Sequence, residues 1–423
     1  MKLLIRKAHL VDPKNKVDEI LDLEIENRKI IEIGKNLKSD GEIVEAEGLT
    51  LLPGLIDLHT HFREPGFEQK ETIQTGAGAA LRGGFVGCVS MPNTNPPCDH
   101  QSVIDNIIRK AKEVPFHLFP AGTISKVREG KELSEMADLK RAGIWAVTDD
   151  GDWVKDPLLM RRAMEYASML GLLVISHCED RRLSANGVMN EGLMSTQLGL
   201  KGIPDESEEV AVSRDIQLAR LTGARLHVAH ISTARSVQLI REAKVKGLLV
   251  TAEVTPHHLS LTEEAVEGYN TNFKMNPPLR NREDVEAIQQ ALKDGTIDCI
   301  ATDHAPHTEE EKMLEFDEAP FGVIGLETAL AVSLTELVHS GKLSLAELVV
   351  KMSTRPAEIL HLPRGFGEIR KGTEAGFTLV DLNREWTVTP EELVSKSKNS
   401  CFIGRKLKGK VVSTLCMGKR WTY

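Results

Sequence analysis

The chain has no CxxC pair; its six cysteines are scattered over 423 residues. That is not a disulfide framework, and the usage fits a reducing cytoplasm. There is also no uninterrupted apolar run of about 18 residues, so no membrane span is expected. Arg6 and Lys7 break the opening stretch MKLLIRKAHLVD, leaving too little apolar length for a signal peptide. Basic excess is missing as well. A formal net charge of −9 argues against coating nucleic acid or a membrane surface, since both need basic patches. No GxGxxG turn follows the first predicted strand, which removes the signature of an open dinucleotide-binding sheet. At this length the chain suits a large α/β barrel with added elements, or two domains.

What is present is alternation. Apolar strand candidates at Leu51–Leu58, Gly84–Met91, Phe116–Ala121, Ile144–Thr148, Leu172–Ser176, Leu226–Ala229, Leu248–Val254 and Ile297–Ala301 are separated by stretches of helical spacing. Eight buried strands alternating with helices predict a parallel (β/α)8 barrel over residues 51–366. Residues 1–50 read as short antiparallel strands with turns at Asp12-Pro13 and Asn27-Arg28, and similar texture returns beyond residue 367. Because chain termini often lie close together, 1–50 and 367–423 are expected to pair into one composite β-subdomain. The charged run Thr308–Lys312 (TEEEK) reads as a solvated surface.

In such a barrel the chemistry sits at the C-terminal ends of the strands. The first strand runs into Asp57, His59, His61 and Arg63, which alternate and so share a face if the backbone stays extended. The second ends at Asn93, the fourth at Asp149-Asp150, the fifth at His177 and the sixth at His230. The seventh leads to His257-His258 and later Asn276, and the eighth to Asp303, His304 and His307. Asp149, His257, His258 and His304 read as caps, turn formers or core hydrogen-bonders. Five strand ends in eight that finish in a metal-ligand type do not fit that reading as a set. Imidazole with carboxylate is the donor mix of Zn²⁺ in a hydrolytic site.

Through DLHTHFREPG, SMPNT, SHCED, HVAHIST, FKMNPPLR and ATDHAPHT, nearly the whole chain resembles the amidohydrolase superfamily and, within it, bacterial dihydroorotases. The resemblance implies a zinc-dependent barrel that interconverts N-carbamoyl-L-aspartate and L-dihydroorotate in pyrimidine biosynthesis. It implies that His59, His61 and Asp303 hold one Zn²⁺, that His177 and His230 hold a second, and that Asp150 lies between them. Many superfamily members carry a carboxylated lysine at the end of strand four, whereas this chain has AVTDDGDWVK, with Lys155 several residues into the loop. One tight and one weak metal position are therefore expected. Asp303 would move the proton, and Arg63, Asn93, Asn276, His307 and the backbone of Phe321 and Gly322 would bind substrate. A homo-oligomer, or a hetero-oligomer with aspartate transcarbamoylase, is the implied assembly. The competing readings are another cyclic amidase (hydantoinase, dihydropyrimidinase or allantoinase) and a poorly active homologue retained as an assembly partner.

Overall fold

The apolar run Leu51–Leu58 is not one strand. In the computed structural model, which describes residues 2–423, Thr50–Pro53 joins a sheet built from both ends of the chain. After Gly54 the chain re-enters as Leu55–Thr60, the first barrel strand. Gly54 stands where a Cβ would fall 2.4 Å from Val86 Cγ1, so the crossing from sheet to barrel needs a residue with no side chain.

The barrel strands are β1 (Leu55–Thr60), β2 (Phe85–Ser90), β3 (His117–Gly122), β4 (Ala146–Val147), β5 (Leu173–Ser176), β6 (Leu226–Val228), β7 (Val250–Val254) and β8 (Cys299–Ile300). They lie side by side in chain order, each parallel to the next. The ring is joined at the C-terminal end, where the His61 N–H donates to the His304 carbonyl at 2.9 Å. Every residue of β1 and β2 is buried, which is why these strands read as continuous apolar runs. The helices return on the outside. Pro157–Leu170 shows the local logic: Asp156 caps the N–H groups of Leu158 and Leu159, and Gly171 ends the helix in the left-handed region at φ 66°. Met160, Ala163, Met164 and Ala167 form its buried stripe at helical spacing.

In the sheet formed from the two ends, Phe377–Thr387 pairs antiparallel with Thr50–Pro53, bringing Thr378 opposite Leu52. The sheet is mixed rather than antiparallel as expected for residues 1–50. Glu42–Glu45 and Thr50–Pro53 both run parallel to Lys2–Asp12, because the intervening loops bring the chain back in the same direction. Leu3, Ile5, Leu23, Ile25, Leu51, Phe377 and Leu415 give this sheet its own apolar core. Between β5 and β6, the long segment after Arg181 is tied down by Arg280. Its guanidinium donates to Asn190 Oδ1 at 2.8 Å, Ile203 O at 3.0 Å and Ser232 Oγ at 3.0 Å, and pairs with Asp205.

Gly54→Ala should cost about 1–3 kcal/mol of stability in denaturant unfolding, the usual scale of overpacking. Adding Val86→Ala should recover part of that loss. Strictly additive losses would show that the two positions do not meet.

Candidate metal centre and substrate pocket

His59 is the penultimate residue of β1 and is fully buried. Its Nε2 lies 3.2 Å from Asp150 Oδ1 and 3.5 Å from Asp303 Oδ1. His61 Nε2 is 3.0 Å from Asp303 Oδ1 and 3.5 Å from Asp150 Oδ2. Across Asp150, His177 Nδ1 stands 3.8 Å and His230 Nε2 4.0 Å from Oδ1, and these two ring nitrogens are 2.9 Å apart. The six side chains nominated by the motifs thus come together, four imidazoles around Asp150 and Asp303 against His59 and His61, although they come from β1, β4, β5, β6 and β8. Asp149 points elsewhere and accepts from the Ile124 and Ser125 N–H groups at 2.8 and 3.0 Å. Asp152 pairs with Arg128 and Arg181, and Lys155 is exposed. Cys178 packs against Ser176, and burial pushes its thiol well up, as for a packing residue.

Internal hydrogen bonds do not satisfy this cluster. His59 Nε2 and Asp150 Oδ1 are both buried without a hydrogen-bond partner, a situation that costs about 1–3 kcal/mol per group. Burial pushes the Asp150 and Asp303 carboxyls up, but the imidazoles, His59 foremost, hold both well below the usual carboxylate range. Ionised carboxylates facing imidazole nitrogens are a donor set for a borderline cation such as Zn²⁺. His59, His61 and Asp150 bring their ligand atoms within 4.8 Å of one another, as do Asp150, His177 and His230. The residues fit a metal. A third group, His227, Glu253 and Cys299, is equally close, but His227 is already used, 2.8 Å from Thr251 Oγ1 and 3.0 Å from Glu253 Oε2.

The supporting residues explain the orientation of the imidazoles. His59 Nδ1 meets Glu253 Oε1 at 2.8 Å, and His61 Nδ1 meets Asn93 Oδ1 at 2.9 Å. Each acceptor keeps the proton on Nδ1 and turns the Nε2 lone pair to the centre. His177 Nε2 faces Glu179 Oε2 at 3.2 Å, which also accepts from Asn276 Nδ2 at 2.8 Å. The strand-end pattern of the sequence does not mark Glu253 or Glu179. Glu253 is a lone carboxylate inside the buried strand Val250–Val254, and that misfit was the signal available. Asp57 accepts from the His59 and Thr302 N–H groups. Arg63, His230 and Asp303 have positive φ of 60°, 32° and 47°, backbone strain gathered at the site.

Beside the centre, Arg63 donates from Nε to the Pro306 carbonyl at 3.2 Å and faces His307 Nε2 at 3.4 Å. Gly322 packs under His307. Its φ is 124°, and a Cβ there would lie 2.8 Å from Ala305 Cβ and 3.2 Å from His307 Nε2. The Gly322 N–H donates to Lys274 O and its carbonyl accepts from Lys312 Nζ and Asn399 Nδ2, so its backbone polar groups serve the protein. Phe321 places its ring 4.8 Å from Lys274 Nζ. His258 and His304 are fully engaged with Thr255, Pro277, Glu71 and Gly325, as core hydrogen-bonders. His257 departs from that expectation, because its buried Nε2 has no partner.

A parallel barrel whose strand ends converge on two His/Asp groups is the architecture of the amidohydrolases. A solved D-hydantoinase structure superposes with a TM-score of 0.87 at 27% identity, over 99% of this chain and 95% of that one. Residues 48–236 match the family model described as dihydro-orotase-like. Dihydroorotases of Syntrophus aciditrophicus and Pelotomaculum thermopropionicum are 50% and 51% identical, each over 99% of this chain and 99% and 98% of their own lengths. The chain belongs to the dihydroorotase family and is a hydrolase of a cyclic amide. Among the described residues no helix is long and apolar enough to cross a membrane.

Glu253→Gln should lower metal affinity about 10- to 100-fold, the usual effect of removing a carboxylate behind a ligating His. Metal retained after dialysis against graded chelator measures it, and unchanged retention would remove Glu253 from the support of His59.

Proposed function

We propose that this site binds one or two Zn²⁺ and interconverts L-dihydroorotate and N-carbamoyl-L-aspartate. His59, His61 and Asp303 would hold one ion, and His177 and His230 the other, with Asp150 between them. The observation that carries the choice of substrate is Arg63. It is partly buried, yet among the described residues it pairs with no carboxylate; its partners are a carbonyl and an imidazole. Withdrawal from water lowers its pKa to about 10, against the pull of Asp303 and Asp150, so it stays charged at neutral pH. His307, pushed down to about 2 by burial and by Arg63, Lys70 and Lys312, is neutral beside it. A guanidinium left without an acid next to the reacting centre suits a carboxylate on the substrate, gripped by two parallel hydrogen bonds. Hydantoin and dihydropyrimidine rings carry no such group.

When bound, the metal supplies Lewis-acid polarisation of the amide carbonyl and acidifies water. The chain's own contribution is proton movement and orientation. In hydrolysis, water adds to the ring amide carbon and the C–N bond breaks. Asp303 takes a proton from that water and delivers it to the departing nitrogen. In cyclisation the same oxygen takes the proton from the carbamoyl nitrogen and returns it to the leaving oxygen. Asn93, held by His61, keeps its amide N–H groups available for the substrate. Asn276, bonded to Glu179, and the Phe321–Gly322 turn complete the pocket.

A reducing cytoplasmic setting belongs to the same proposal, supported by six cysteines that are all buried and unpaired. Association with aspartate transcarbamoylase is also part of it. Co-elution of the two proteins, with activity before and after mixing, tests that association.

Asp303→Asn should abolish turnover while leaving the unfolding transition intact; near-wild-type rates would sink the proton role. Arg63→Met should act mainly on KM for dihydroorotate, by about tenfold or more. Unchanged KM and kcat, or faster hydrolysis of hydantoin than of dihydroorotate by the wild type, would overturn the substrate assignment.

A further inference from the structure

The charged run Thr308–Lys312 does not lie wholly in solvent. Lys312 turns inward and is 8% exposed. Its ammonium donates to Pro320 O at 2.9 Å and Gly322 O at 3.1 Å, the two carbonyls that flank Phe321. On the other side of the same turn Lys274, 2% exposed, donates to Asp317 O at 2.9 Å and stands 4.8 Å from the Phe321 ring centroid. Among the described residues neither lysine forms an ion pair with a carboxylate. Each instead depresses or crowds a neighbour. Burial and then Lys274 bring the Lys312 pKa down to about 7, and Lys312 contributes to keeping His307 neutral.

Burying an ammonium without an acid is costly, and holding the turn does not require one. Asn399, which is neutral, donates to the same Gly322 carbonyl at 3.1 Å and to Ala305 O at 3.2 Å, and accepts the His307 N–H at 3.2 Å. The turn and the strand-eight loop are therefore already joined by amide hydrogen bonds. The charge of Lys312 is surplus to that task. Lys312 and Lys274 at the turn, and Arg63 beside His307, are three cations whose hydrogen-bond partners are carbonyls and an imidazole, and among the described residues none of them pairs directly with a carboxylate.

We propose that Lys312 is a specificity-determining residue: its ammonium, seated on the Pro320 and Gly322 carbonyls that flank Phe321, is balanced in charge by the carboxylates of the substrate. The inference rests on the reading of Arg63, His307 and this turn as the substrate pocket. It carries a consequence for direction. N-carbamoyl-L-aspartate has two carboxylates and dihydroorotate one, so the uncompensated charge favours the open-chain ligand more.

The test is steady-state kinetics in both directions on the metal-loaded full chain carrying Lys312→Met, Lys312→Arg or Arg63→Met, with metal content and Tm measured alongside. For Lys312→Met, KM for dihydroorotate should rise about tenfold and KM for N-carbamoyl-L-aspartate further, with kcat within about threefold. Lys312→Arg should restore most of both. If Lys312→Met leaves both KM values within about twofold while Arg63→Met raises them, the role of Lys312 is wrong and the pocket stands. Equal losses in the Met and Arg variants, or equal effects on the two substrates, show shape rather than charge and also overturn it. If Arg63→Met is silent too, the pocket reading itself has failed. Should Lys312→Met not fold, Lys312→Gln, which keeps amide donors but not the charge, takes its place with the same expected outcome.

Discussion

The structure depends on the seam where the barrel's first strand meets its last. Asp57, fully buried, accepts the N–H of His59 on one side and of Thr302 on the other. Two residues further along, the His61 N–H reaches the His304 carbonyl at 2.9 Å. These contacts fix the strand that carries His59 and His61 against the one that leads to Asp303. Without them, residues some 240 positions apart would have no reason to present their side chains to one point. Burial pushes the Asp57 carboxyl up to about 7 even though backbone N–H groups favour its ionised form. The seam is thus an electrostatic as well as a geometric commitment.

Around that seam the site is arranged as carboxylates alternating with imidazoles. Glu253 stands behind His59, Glu179 behind His177, and Asp150 and Asp303 in front. The outer carboxylates fix ring orientation through hydrogen bonds, while the inner carboxylates leave atoms such as Asp150 Oδ1 unsatisfied. That contrast distinguishes acceptors that orient a ring from a carboxylate oxygen that fits a cation. At the pocket edge Arg63, Lys274 and Lys312 rest on carbonyls and an imidazole, and among the described residues none of them pairs directly with a carboxylate.

Much of this was legible in the sequence because the barrel's strand ends are short and strongly patterned. The alternation over Asp57–Arg63 and the runs ending at Asp150, His177, His230 and Asp303 place ligand types where the fold must bring them together. The break inside Leu51–Leu58 was not legible, since Pro53-Gly54 interrupts an apolar run only by reference to Val86, a tertiary neighbour. Glu253 was hidden within a buried strand, and its partner His59 is 194 residues away. Lys312 misled for a related reason. A charge in TEEEK looks solvated until the Pro320–Gly322 turn folds over it, and Asn399 reaches the same turn from the far end of the chain. Local pattern reports strand ends well. It does not report which polar group faces inward from a loop.

The most direct measurement pairs elemental analysis of the purified chain with its rate on L-dihydroorotate as metal is withdrawn and restored. The account predicts zinc at one or two ions per chain, a rate that follows metal content, and recovery when zinc is returned. Full activity in protein stripped of metal, or a zinc-loaded chain that leaves dihydroorotate intact, would contradict it.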